Sequence, residues 1–302
     1  MLVGVVMVAG LGCGDEQAQT QSSPPSQSGQ PATTPKPAPA ATSSQLFWAD
    51  VLEQNPDPKV VTDADFLKRI KSTGLPWRVT HKSTGIEMLL VPPGTFMMGA
   101  SPGDTQASDD EKPAHEVTIT KAFYLGRTEV TQAQWFKVMD TNPSKFRGES
   151  LPVDSVSWND ISVFLKKTSG GLQLPTEAEW EYACRAGTKG ATYGDLDLIA
   201  WNNASSGGTT HAVGKLQPNA LGFYDMIGNV NEWCQDWYEG DYYKSCADGV
   251  VDPTGPARSE GLVVRGGGWN RGANRCRASN RGILAPGGQG SNVGCRFART
   301  AD

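Results

Sequence analysis

Histidine is scarce in this 302-residue chain: the three present are His81, His115 and His211, far apart and in no metal-ligand or charge-relay spacing. That scarcity argues against a histidine-centred iron site and a Ser-His-Asp hydrolase, and leaves each histidine a structural or surface role. Basic clusters are missing too. With 27 Lys and Arg against 32 Asp and Glu, a net charge of -5 and a pI near 5.3, the chain carries no positive field suited to nucleic acid. Long helical periods are few, whereas glycine (35), proline (20) and tryptophan (9) are plentiful. This predicts an α/β (α+β) domain of short strands, few helices and much loop, with enough apolar residues, 38%, for one large core.

Residues 1–12 are apolar and uncharged but too short to span a bilayer, and Cys13 follows directly. Residues 1–13 are therefore expected to be a lipoprotein-type signal ending in a lipidation cysteine, which places the protein outside the cytosol, lipid-anchored to a bacterial cell envelope or secreted, and touching membrane only through that anchor. Residues 14–45, rich in Gln, Ser, Thr, Pro and Ala, are expected to form a disordered tether. Residues 46–80 read as a helical extension: a short helical turn over Gln45–Leu52, then a capped helix over Thr62–Lys71 ending at Gly74. Residues 81–302 form the main domain.

Within it, Pro76–Thr80 and Ile86–Val91 read as strands around a turn, and His115–Thr120 and Phe123–Thr131 alternate as strands do. Thr131 with Gln134, and Thr176 with Glu179, are spaced as capping boxes at helix starts. Glu177, Glu179 and Glu181 invite an acid–base reading, but at a helix start they are expected to serve the cap, the macrodipole and solvent. Asp104, Asp109, Asp110 and Glu111 read as a solvated loop. The densest stretch is Leu221–Trp233 (LGFYDMIGNVNEW), too short and glycine-interrupted for a helix; its backbone must turn at Gly222 and Gly228.

That stretch resembles the GLYDMxGNVWEW signature of the formylglycine-generating enzyme (sulfatase-modifying factor) family. Other blocks agree in order: VPPGTFMMG from Val91, FYLGRTEVT from Phe123, PVDSVSWND from Pro152, LPTEAEWEYACRAG from Leu174, RGGGW from Arg265 and NVGCR from Asn292. The resemblance covers about residues 86–299 and implies a C-type-lectin-like fold. It also implies a calcium site at Asp225, Gly228, Val230 and Glu232, two carboxylates with carbonyls between them, a donor set that suits this hard cation.

The family's oxidases convert a cysteine of a protein substrate to an aldehyde with oxygen and copper(I), held by two cysteines spaced C-x4-C after the RGGS block. Soft thiolates suit copper(I). Counted from the glycines, Cys276 matches the second cysteine, the candidate catalytic residue, but Arg271 stands where the first belongs and Gly268 replaces the serine; counted back from Gly294, Cys276 falls two residues off the match, and either alignment leaves the pair incomplete. The resemblance further implies a Cys184–Cys276 disulfide, which would withdraw Cys276 from copper. Five cysteines follow Cys13, an odd number; Cys234 with Cys246, or Cys276 with Cys295, are other conceivable pairings. Two functions follow from the resemblance: an oxidase acting on protein cysteine with an incomplete copper pair, or a non-catalytic lectin-like binding or scaffolding domain that presents its groove and loops to a peptide, glycan or cell-envelope partner, a protein or peptide ligand being the one expected.

Overall fold

The structure, a computed structural model, describes residues 46–301. The signal, the lipidation cysteine Cys13 and the tether lie outside the described residues. In chain order the elements are β1 (Ala49–Glu53), α1 (Ala64–Ser72), β2 (Arg78–His81), β3 (Glu87–Val91), β4 (Gly94–Met98), β5 (His115–Ile119), β6 (Phe123–Gly126), α2 (Gln132–Met139), α3 (Trp158–Lys167), α4 (Glu177–Arg185) and α5 (Leu196–Ile199). After the long loop over residues 200–230 come β7 (Asn231–Trp237), α6 (Tyr242–Ser245), β8 (Val250–Val251), β9 (Leu262–Arg265), β10 (Arg281–Leu284), β11 (Val293–Gly294) and β12 (Ala298–Thr300).

The strands form three sheets. One is antiparallel in the order β1-β2-β3-β6-β12, so that the chain's last strand pairs with β6, Ala298 opposite Leu125. A second runs β10-β9-β7-β11, with β11 parallel to β7, and a third joins β4, β5 and β8. Residues 46–80 are thus less an appendage than expected. The turn of helix foreseen over Gln45–Leu52 is instead β1, an edge strand against β2. Its apolar residues lack a helical period, and Trp48 packs edge-on against Tyr124 at 5.2 Å, which ties the segment to the sheet.

Aromatic rings fill the core between sheets and helices. Trp135 of α2 stacks on Phe164 of α3 at 5.0 Å, and Phe164 stacks on Phe297 at 4.9 Å; Trp180 and Trp233 are fully buried. The helix starts obey local chemistry. Thr131, Ser157 and Thr176 each close a capping box with the residue three positions on, and α1 starts at Asp63, whose carboxylate accepts from the amides of Asp65 and Phe66. Replacing Thr176 with Ala is expected to cost about 1 kcal/mol, read as a lower urea midpoint with unchanged slope; no change would mean that packing alone holds α4.

The other glutamates of α4 are not solvated as expected. Glu177 lies 2.8 Å from Arg281, and Glu181 lies 2.8 Å from Arg185 and also bonds Arg265, all of them buried. The acidic loop is corrected in part: Asp109 is exposed as expected, but Glu111 is fully buried and takes two nitrogens of Arg277 at 2.6 and 2.7 Å, and Asp104 takes Arg277 at 2.7 Å. Burying one carboxylate without its arginine would be costly, so these pairs fix how the loop and helix meet the strands.

Candidate functional site

Loop 221–233 turns where its glycines allow it. Gly222 and Gly228 have φ of +92° and +90°, and a Cβ on Gly228 would stand 2.6 Å from the Trp201 carbonyl. The turn is stitched to its surroundings by Asn229. Its amide donates to the Trp201 carbonyl at 2.8 Å, and its side-chain nitrogen donates to Glu129 Oε2 at 2.7 Å and to the His211 carbonyl at 3.1 Å.

Three carboxylates converge behind this turn. Glu232 holds Arg296 through Nε and Nη2, the latter at 2.7 Å, and accepts from Trp180 Nε1 at 2.7 Å. Asp225 Oδ2 accepts from the Gly214 amide at 2.6 Å, while Oδ1 is buried with no hydrogen-bond partner among the described residues. Glu129, at the end of the Phe123–Thr131 segment, accepts from the Val230 amide at 3.0 Å. Burial raises the Asp225 carboxyl to about 6, and Glu129 goes well above the usual carboxylate range through burial and the charges of Asp225 and Glu232. One arginine, Arg296, thus stands against three acids.

The four expected calcium positions are brought onto one turn, with unequal readiness. Asp225 presents an orphaned oxygen, the kind of group a hard cation satisfies, whereas both oxygens of Glu232 are occupied by Arg296 and Trp180. Among the described residues no three His, Cys, Asp or Glu side chains cluster as a metal site. Glu129 was missed from the sequence, where it read only as part of a strand; among Arg127, Thr128 and Thr131, three residues past the end of β6, nothing local marked it as buried.

The cysteines are corrected more sharply. All five described cysteines, Cys184, Cys234, Cys246, Cys276 and Cys295, are buried and free, so the expected Cys184–Cys276 bridge is not made, nor are the other pairings. Each sulfur sits in its own niche: Cys184 on the core face of α4, and Cys276 after the Gly272–Arg275 turn, its thiol facing the Arg271 carbonyl at 3.8 Å. Burial pushes the Cys276 thiol up to about 11 and the Cys184 thiol up to about 12. Arg271, at the position of the missing cysteine, is exposed. The donor set present does not fit copper(I), which needs thiolates where this chain has one protonated thiol and a guanidinium.

The histidines behave as expected. His81 is buried beside Thr84 at 2.9 Å and held neutral, lowered to about 4 by burial; His115 meets Tyr243 edge-on at 4.7 Å; His211 stacks on Trp201 at 3.8 Å.

Comparison with known proteins agrees with this architecture. The sequence profile described as "Sulfatase-modifying factor enzyme 1-like domain" matches residues 61–301. The chain is similar to a formylglycine-generating enzyme of Streptomyces coelicolor, 29% identical over 283 residues, covering 70% of this chain and 88% of that one. It is similar as well to the serine/threonine-protein kinase pkn1 of Chlamydia pneumoniae, 32% identical over 240 residues and 70% of this chain, but it spans only 38% of that kinase's length. Among solved structures, Treponema denticola variable protein 1 superposes with a TM-score of 0.66 at 30% identity, over 74% of this chain and 99% of that one. The mixed sheets with few helices are the C-type-lectin-like arrangement of these relatives, and with the profile match spanning nearly all of the described residues the chain belongs to the sulfatase-modifying factor family.

Proposed function

We propose that this chain is a non-catalytic binding module of its family, presenting a lectin-like surface to a protein or peptide partner in the cell envelope. The observation that carries this reading is Arg271 at the position of the first copper thiolate, with Cys276 buried and protonated beside it. A thiol held near 11 by burial is almost wholly protonated at neutral pH, so copper(I) would have to displace its proton, and no second cysteine stands at position 271 to complete the pair. The kinase relative supports the reading, since there the matched region is a minor part of a longer protein named for another activity. In this reading Cys13 carries the lipid anchor and residues 14–45 hold the module away from the membrane. Calcium would sit at Asp225, with the Gly228 and Val230 carbonyls beside it and Glu232 sharing its charge with Arg296; it would supply charge balance for the buried acids and stiffen the turn.

The test is copper(I) competition against a colorimetric chelator, followed by a cysteine-peptide oxidation assay. The expected result is no copper retained, no aldehyde product, and no native-state reaction of Cys276 with a thiol reagent at pH 8. Stoichiometric copper(I) that is lost in Cys276→Ser, with aldehyde formed, restores the oxidase.

A further inference from the structure

A cavity of about 290 Å³ opens between β9, β10 and the loops around Gly267 and Gly290, on the side of the domain where Arg271 projects. No acidic residue lines it. Three arginines do, Arg271, Arg275 and Arg281, with the carboxamides of Asn231, Asn280 and Gln289 between them. Arg281 is spent on Glu177, at 2.8 and 3.0 Å. Arg271 and Arg275 are different. Both are exposed, and among the described residues neither has an ion pair; Arg271's guanidinium has no hydrogen bond, and Arg275 has only a 3.5 Å contact to Asn280 Oδ1.

The backbone under Arg271 is nevertheless fixed. Its amide donates to the Gly268 carbonyl at 2.9 Å, and its carbonyl accepts from the Asn203 amide at 3.0 Å. Two exposed guanidiniums thus line a common opening, Arg271 with no donor spent and Arg275 with one long contact, on a chain whose net charge is -5. The nearby acids are committed elsewhere: Asp160 caps α3 and takes Gln289 at 2.9 Å, and Glu177 lies under Arg281. The remaining wall is aliphatic, from Val264, Ile283, Leu284 and Val293.

We propose that this cavity is the docking pocket for an acidic side chain of the partner peptide. The guanidiniums of Arg271 and Arg275 receive the carboxylate, and the aliphatic wall receives the methylenes that carry it. This deepens the binding reading above and rests on it. At about 290 Å³ the cavity lies at the lower edge of small-molecule sites, roughly 300–1,000 Å³, and has room for a carboxylate side chain. Planar guanidiniums match a carboxylate in a way that an ammonium does not. The substitution that removes the copper pair thereby gives the pocket its charge.

The test uses residues 45–302 alongside the full chain, with acetyl-Ala-Ala-Glu-Ala-Ala-amide, its Gln counterpart and galacturonate as probes, followed by amide NMR shifts of Gly267 and Gly272. The expected result is that the Glu peptide binds about tenfold more tightly than the Gln peptide and weakens as salt rises, in keeping with exposed charges. The double variant Arg271→Gln/Arg275→Gln loses this preference, while Arg271→Lys/Arg275→Lys keeps part of it; both positions are exposed, and circular dichroism checks that both variants fold. Equal binding of the Glu and Gln peptides, or a preference unchanged in the Gln double variant, overturns the pocket. Galacturonate bound in place of the peptide with the same arginine dependence overturns the peptide assignment. None of these outcomes bears on copper, so the binding reading falls separately, by the oxidation assay.

Discussion

Arg296→Ala is expected to lower the stability of this domain by about 3–5 kcal/mol, the range for a buried pair stripped of one partner. Arg296 is fully buried and spends every nitrogen: Nε and Nη2 on Glu232, Nη1 on the Gly126 carbonyl at 2.9 Å, and Nη2 again on the Tyr224 carbonyl at 2.8 Å. It is also the cation that offsets the buried charges of Asp225 and Glu129. Without it, three buried carboxylates whose charges act on one another lose their arginine. For a domain of this size the loss corresponds to a melting point lower by roughly 6–20 °C. Part of the loss should return at pH 5, where Asp225 and Glu129, both raised by burial, take up protons. Arg296→Lys keeps the charge but not the fork and should fall between the two. A melting point within about 2 °C of the parent would show that the pair is incidental.

Asp225→Asn is expected to stabilise the calcium-free protein at pH 7.5 by up to about 3 kcal/mol, the worth of a carboxyl raised from 3.8 to about 6, an unusual direction for a change at a buried site. The folded carboxyl is raised from 3.8 to about 6, so the native state favours its protonated form. Stability from that proton is complete below about pH 4 and is lost as pH climbs through 6, and Glu129 and Asp236, also raised by burial, act in the same direction. The depressed acids Glu87, Glu111 and Glu177 act oppositely, but their stabilisation is lost only as pH falls through their lowered values. In chelator the parent should therefore melt higher at pH 5.5 than at pH 7.5. Asparagine removes the charge, keeps an acceptor for the Gly214 amide, and tolerates the left-handed backbone there, φ +53°. Calcium at millimolar concentration should reverse the order, raising the parent at pH 7.5 and leaving Asp225→Asn nearly unmoved. If calcium shifts both proteins equally, or neither, Asp225 is not its ligand.

Arg296 and Asp225 belong to one buried cluster, the first as its cation and the second as one of its acids. A cluster with three buried acids and one arginine carries excess negative charge, which protons or a cation must balance. The proposed pocket is its opposite, two exposed arginines without an ion pair among the described residues and no acid in the lining.

What the sequence determined by itself was local or linear. Thr131 with Gln134 and Thr176 with Glu179 closed their capping boxes because donor and acceptor stand within one turn, so three residues of spacing suffice to read them. Gly222 and Gly228 turned the chain because their backbone demanded it, and the order of motifs identified the family and, through it, the fold. Tertiary structure decided who meets whom. Glu111 finds Arg277 across 166 residues, Asn229 finds Glu129 across 100, and Glu232 finds Arg296 across 64. No period or spacing encodes such pairs, because a carboxylate reads alike whether solvent or an arginine awaits it. For the same reason Glu177, Glu181 and Glu111 read as solvated and proved buried. The cysteines obey this rule as well: their number and order are written in the chain, but only the packing around each sulfur left Cys184 and Cys276 apart and put Arg271 over an open pocket.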